Sequence, residues 1–289
     1  MAGEPVASGQ MASDLQTRRL ADLHLSQHNL QDYADCPRRF QLRYVEQVAW
    51  PAIKTEPIAE AERRARLGQR FHRMAQQYFE GIPAERLEAG ADDPDLRRWW
   101  HNLAAAPPRD LPTTRRAETS LSTPLNRYRL MARYDLLAAD AGGRLVIVDW
   151  KTQRPKNPQN LLEKLQTVVY PYVLVEAGAA FNGGRPVQPA QVTLLYWFAD
   201  APDDPLALAY DATHHAADHE RLTALIGEIE RRDEAVWPLA DDARACKFCV
   251  YRSLCERGRL PGDLDELDEE PETEELLDID LEQVAEIAF

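Results

Sequence analysis

The stretch YRLMARYDLLAADAGGRLVIVDWKT, residues 128–152, decides the architecture. Apolar alternation on both sides of Asp140-Ala141-Gly142-Gly143 reads as two strands joined by a turn. Asp149 and Lys151 lie two apart on the second strand, so their side chains share a face. Asp135 lies on the first strand, and a turn centred near residue 142 sets it opposite, or nearly opposite, Asp149. Two carboxylates and an ammonium then converge on one patch. Paired carboxylates suit a hard cation such as Mg2+ or Mn2+. Such a cation acidifies a bound water and neutralises charge on a phosphoryl oxygen, while a nearby lysine orients the water and steadies the developing negative charge. The competing reading is a surface salt bridge at a hairpin end. The apolar run Leu145-Val146-Ile147-Val148 argues against it, because Asp149 then emerges at the end of a buried strand.

Downstream, a helix is expected over about 159–176, then a strand at QVTLLYWFA and a helix over about 215–234. Gln166 and Tyr170 are spaced i, i+4 and stack on one helix face, either to grip a phosphate or base near the metal or simply to pack. Pro171 predicts a distortion just after them. Upstream, a short helix from Ser26 is expected to end near Cys36-Pro37, with a second helical stretch after it and a long helix over roughly 58–80. Further helical pieces over 81–112 are broken by Pro94, Pro107, Pro108 and Pro112. On the long helix Arg63, Arg66, Arg70 and Arg73 fall within an arc of about 80°. That stripe reads either as a track for a nucleic-acid backbone or as a solvated face paired with neighbours such as Glu62. His72, one turn after a Gly68 that leaves room beside the backbone, reads as a metal ligand or as a buried histidine.

The 289 residues are 44% hydrophobic and 28% charged, ordinary for a globular chain, and the net charge is −14. Thirteen acidic and no basic residues fall between Pro261 and Phe289, so removing them from the total of 48 leaves 35 acids against 34 bases in the rest. The near-neutral body excludes nothing about nucleic acid. No apolar run reaches membrane-span length. The N-terminus lacks a secretion signal, which predicts a cytoplasmic protein. The segment 1–22 reads as a disordered arm and 259–289 as an acidic, mostly disordered tail. Leu276, Leu277, Ile279, Leu281, Val284, Ile287 and Phe289 give that tail an apolar component. It therefore reads as a solubilising segment, a competitor for a basic groove, or a peptide that binds a protein. The four cysteines are Cys36 and the C-x2-C-x5-C set Cys246, Cys249 and Cys255. One compact trio with a distant fourth suits a thiolate metal site better than disulfides. There is no phosphate-binding G-x-x-x-x-G-K-[ST] loop.

Together these pieces resemble the PD-(D/E)XK nuclease superfamily, in particular the RecB-type exonucleases with an iron–sulfur cluster. Those relatives include the nuclease subunit of AddAB-type repair complexes and the iron–sulfur nucleases of CRISPR spacer acquisition. The resemblance rests on the order of motifs: Cys36 before Pro-Arg-Arg-Phe, Gly68 to His72, Asp135, Asp149 with Lys151, Gln166 with Tyr170, and the closing cysteines. Glu118 falls where relatives often carry an acid, and Ala132 replaces a usual glycine. The resemblance implies an α/β (mixed α+β), restriction-endonuclease-like central mixed sheet flanked by helices. It places the nuclease domain over 23–258, a helical insertion over about 56–112 and a cluster-bound C-terminal cap at 246–255. It also implies Mg2+ or Mn2+ held by His72, Asp135 and Asp149, with Lys151 assisting catalysis. Cys36, Cys246, Cys249 and Cys255 would carry a [4Fe–4S] cluster of structural role, and zinc is the alternative on spacing alone. Gln166, Tyr170, Arg66 and Arg70 would bind substrate. The expected activity is DNA exonuclease on single strands or frayed ends in repair or recombination, beside a helicase. The alternatives are CRISPR spacer acquisition beside an integrase, or a DNA-end-binding module that does not cut.

Overall fold

The hairpin is the centre of a six-stranded mixed sheet in the computed structural model, which describes residues 20, 23–49, 56–232, 235–247 and 249–258. Of the expected N-terminal arm only Leu20 is among them, and the acidic tail from residue 259 lies outside them. The strands are β1 (His24–Ser26), β2 (Thr114–Leu125), β3 (Tyr128–Ala139), β4 (Leu145–Lys151), β5 (Val192–Phe198) and β6 (Leu206–Ala209). The helices are α1 (Gln27–Asp35), α2 (Pro37–Phe40), α3 (Glu56–Phe79), α4 (Ala84–Glu88), α5 (Pro94–Ala105), α6 (Gln159–Glu163), α7 (Leu165–Ala177) and α8 (Ala212–Glu230).

β3 is the axis. It pairs antiparallel with β2 along one edge from Tyr128 to Ala139, with one break at Asp135. The other edge is shared: β1 runs parallel to Arg129–Met131, and β4 runs antiparallel to Leu136–Ala139. The sheet therefore forks along β3, between residues 131 and 136. Beyond β4, parallel β5 and antiparallel β6 complete the order β1-β3-β4-β5-β6. A parallel β4–β5 pair needs a crossover, which α6 and α7 supply.

Period-two alternation sends successive β4 residues to two separate cores. Leu145 and Ile147 pack with Val169, Val173, Leu222 and Ile226 of α7 and α8. Val146, Val148 and Trp150 pack instead with Phe71, Leu96, Trp99 and Leu103 of the helical insertion. Each such side chain contributes roughly 1.5–3 kcal/mol when fully buried. The sheet is thus covered on both faces, as the restriction-endonuclease-like expectation required.

Three local details differ from the sequence reading. The expected helix over 159–176 is two helices, broken at Lys164, which is extended with ψ 144°. Pro171 lies inside α7 without ending it, because Tyr170, Tyr172, Val173 and Leu174 are buried around it and hold the helix continuous. The short strands β1 and β6 had no signal of their own. At three and four residues, both are too short to show a period.

Candidate active site

The fork is where the acids gather. In register, the next pair beyond Leu136↔Val148 is Asp135 and Asp149, as the hairpin spacing predicted. Across β2 the residue in register with Asp135 is Glu118, and the ladder skips that pair. Glu118 has φ +49°, a left-handed conformation that costs a side-chain-bearing residue energy. The packing parity also switches there. Leu130, Ala132 and Tyr134 share a core with Leu137 and Ala139, while Leu136 and Ala138 join the other. The kink turns Asp135 out of the pleat. Its Oδ2 accepts the Trp150 backbone N–H at 2.8 Å, and its Oδ1 lies 3.1 Å from His72 Nδ1 on α3.

His72 is one-third exposed at 33%. Its partial burial alone would lower its pKa, but the charges of Asp135, Asp149 and Glu118 overcome that and raise it to about 9. Burial and the neighbouring Asp135 push the Glu118 carboxyl up, while Arg133 at 2.7 Å works against the rise. A site that holds a proton so firmly carries excess negative charge, the field a divalent cation would satisfy. Gly68 does bring α3 close to the loop after Lys151. A methyl there would meet Thr152 Cγ2 at 3.8 Å, an ordinary contact, so sterics do not demand the expected gap.

Asp149 and Lys151 face the other helix layer. Asp149 is buried, and Lys151 Nζ lies 3.2 Å from its Oδ2. Gln166, on the first turn of α7, ties the pair together. Its amide nitrogen donates to Asp149 Oδ1 at 2.7 Å, and its carbonyl accepts from Lys151 Nζ at 2.9 Å. The same nitrogen donates to the Tyr170 hydroxyl at 3.1 Å. Gln166 and Tyr170 are 7% and 1% exposed, so in this arrangement they serve Asp149 and Lys151 rather than a surface. Sequence reading missed two contributors to this network. Gln27 opens α1 and reaches Tyr170, and the kink at Glu118 has no glycine to announce it.

The arginine stripe divides. Arg63 pairs with Asp93 and Asp95 at 2.9 and 3.2 Å, and Arg70 with Asp92 at 2.6 Å and the Gly90 carbonyl at 2.7 Å. These two brace the insertion, and Arg66, Arg70 and Arg73 are all exposed on α3. Glu62, the neighbour expected to pair with the stripe, lies among residues whose side chains are outside the description.

At the opposite end of α1 stands buried Cys36, and none of the four cysteines forms a disulfide. Burial raises the thiols of Cys246, Cys249 and Cys255, and Cys36 is coupled electrostatically to each in the same direction. Arg39 offsets that coupling at Cys246 and Cys249, Arg257 at Cys246, and Arg38 at Cys255. The four sulfurs are thus coupled to one another and to three guanidinium groups, and thiolates are the donors that zinc or an iron–sulfur cluster takes. Among the described residues, no group of three or more His, Cys, Asp or Glu is disposed to hold a metal ion, here or at the fork. The segment is also tied without metal: the Tyr251 hydroxyl donates to the Val48 carbonyl at 3.1 Å, and the stretch leading into it is anchored as well. Trp237 stacks on Phe40 at 5.7 Å, and Gln41 accepts the Trp237 N–H at 2.8 Å and donates to the Ala235 carbonyl at 3.0 Å.

A forked mixed sheet with acid, acid and lysine at the fork defines a restriction-endonuclease-like nuclease core. Residues 24–256 match the PD-(D/E)XK nuclease superfamily, and the chain belongs to it. That membership places the protein among nucleases, hydrolases of phosphodiester bonds. A comparison with curated proteins finds no match. Among solved structures, the chain is similar to SSO0001, at 14% identity and TM-score 0.39, with 86% of this chain and 97% of that one covered. It is also similar to a candidate exonuclease from Eubacterium rectale, at 10% identity and TM-score 0.49, with 91% and 95% covered. Among the described residues no helix is long and apolar enough to cross a membrane.

Proposed function

We propose that the protein is a metal-dependent DNA exonuclease acting on single strands or frayed ends. The observation that carries this reading is Lys151 held against buried Asp149 by Gln166, with Asp135 next in register on the neighbouring strand. Asp135, Asp149 and His72 are the residues that would hold Mg2+ or Mn2+. When bound, the cation would supply an acidified water and neutralise charge on a phosphate oxygen. Lys151 orients the attacking oxygen and stabilises the charge that develops on the phosphoryl group. Gln166 and Tyr170 keep that ammonium aimed, and exposed Arg66 tracks the backbone of the strand. Arg70 contributes by bracing the insertion unless DNA draws it from Asp92. The chain has no nucleotide-hydrolysing loop to open a duplex, which favours single strands or a helicase partner that delivers them. The four cysteines hold a structural [4Fe–4S] cluster in this reading.

The test is digestion of end-labelled linear and of circular single-stranded DNA with Mn2+. The proposal expects short products from the linear strand only, and none with Asp149→Ala. Cutting of circles would make the enzyme an endonuclease. Tight binding without products would support an end-binding module instead. Repair and spacer acquisition differ in partner, helicase or integrase, and co-purification from native extract separates them.

A further inference from the structure

α1 grips α7 at two points. Gln27 and Gln31 are four apart and therefore on one face of α1. Gln31 Oε1 accepts the Leu165 backbone N–H at 3.0 Å, satisfying a donor that the first turn of α7 cannot satisfy within the helix. Gln27 Nε2 lies 3.2 Å from the Tyr170 hydroxyl and 2.9 Å from His28 Nε2, so its two hydrogens serve two acceptors. Gln27 is 3% exposed. At Tyr170 the hydroxyl oxygen has two lone pairs, and it accepts from Gln27 on one side and Gln166 on the other. Gln166 in turn spends its second hydrogen on Asp149 and its carbonyl on Lys151. The start of α1 is itself fixed, because the Ser26 N–H donates to Asn29 Oδ1 at 2.9 Å and Asn29 donates to the His24 carbonyl at 2.8 Å. A rigid N-terminus thus reaches the reactive pair through two residues.

We propose that Gln27 is a positioning residue for the phosphodiester chemistry, acting through Tyr170 and Gln166 on the Lys151–Asp149 pair. The proposal rests on the function proposed above. The physical reason is orientation. With both lone pairs of Tyr170 engaged, Gln166 has one amide orientation that satisfies every contact. Losing Gln27 removes one of the donors that hold the buried Tyr170 hydroxyl, so the hydroxyl steadies Gln166 less firmly, and the alternative orientation of Gln166 points an NH2 group at the Lys151 ammonium. A small misplacement of a catalytic group costs roughly 10- to 100-fold in rate.

The experiment is a double-mutant cycle in the cluster-containing, Mn2+-loaded protein, read as single-turnover cleavage of labelled single-stranded DNA together with DNA affinity. Gln27→Met keeps volume and removes the donor. It should slow cleavage about 10-fold or more with DNA affinity unchanged. Tyr170→Phe should slow it at least as much, and the double variant should be no slower than Tyr170→Phe alone. Gln27→Met cleaving at the wild-type rate, or effects that multiply in the double variant, would overturn the proposal. If Gln27→Met does not fold, Gln27→Glu, equal in length and acceptor-only when ionised, takes its place in the cycle, and the same outcomes support or overturn the proposal. A wild type that does not cleave defeats the proposed function instead. Hydrogen exchange then judges Gln27: faster exchange of the 166–170 amides in Gln27→Met, absent when Tyr170 is already Phe, supports it, and no difference refutes it.

Discussion

The two ends of α1 stand in different kinds of structure. At Gln27, the Tyr170 partner comes from a helix of the core, and the hydrogen bonds that lead from Tyr170 through Gln166 to Lys151 are already made. At Cys36, the partner thiols come from a turn-rich segment, Cys246 to Cys255, where four sulfurs are coupled electrostatically but no ligand geometry is complete. The difference teaches where order comes from. The catalytic end is held by the sheet, whose strands must pair to bury two cores. The cysteine end has no strand pairing among the described residues, so it depends on Tyr251 at the Val48 carbonyl, on the Trp237 anchor before it and on whatever the thiols bind.

The sharpest test of that contrast is a variant at each end. Asp149→Asn keeps shape and should reduce cleavage by at least about 1,000-fold while thermal stability stays near the wild type. Equal losses of activity and stability would mean that the catalytic end is no more preorganised than the other. Cys36→Ser should do the reverse. Iron content should collapse and Tm should fall by roughly 10 °C, as for a loss of about 3 kcal/mol in a domain this size. Trp237 and Gln41 should still keep the segment attached, so proteolysis should remain slow in the core. A colourless, zinc-loaded and fully active wild type would remove the iron–sulfur reading.

Smaller effects sharpen the catalytic side. His72→Ala should raise the Mn2+ concentration for half-maximal cleavage about 10-fold and leave the saturated rate near normal. An unfolded variant would instead make His72 a packing residue. In metal-free protein the His72–Asp135 contact should stabilise the fold in a pH-dependent way. The folded pKa, about 9, lies above the ordinary 6.5, so this stability is fully present below about pH 6.5 and lost as pH rises through about 9. The Tm difference between wild type and His72→Gln, measured in EDTA, should shrink to nothing by about pH 10. A constant difference would show that the contact carries no charge.

Much of this was legible in residues 128–152. The hairpin, the shared face of Asp149 and Lys151 and the register of Asp135 all follow from a two-residue period and a four-residue turn. The helix bearing Gln166 and Tyr170 was legible too, although its break was not. Propensity points to Pro171, whereas the break falls at Lys164, where Gln31 of α1 caps the new helix. Gln27 was invisible because one glutamine carries no period, and its role exists only once β1 and β3 bring α1 to α7. The kink at Glu118 was invisible for a related reason. A left-handed residue is usually announced by glycine, and here the sheet imposes it on a glutamate. The arginine stripe shows the limit of a helix wheel, which cannot see that Asp92, Asp93 and Asp95 come back to meet it.

A working phosphodiesterase centre at the fork requires that Lys151 act on the reaction rather than on binding. Single-turnover cleavage of labelled single-stranded DNA by Lys151→Ala, with DNA affinity measured on the same preparation, tests it most directly. The account predicts a rate constant lowered by about 100- to 1,000-fold with affinity within a few-fold of wild type. Cleavage at the wild-type rate, or a loss explained wholly by weaker DNA binding, would contradict it.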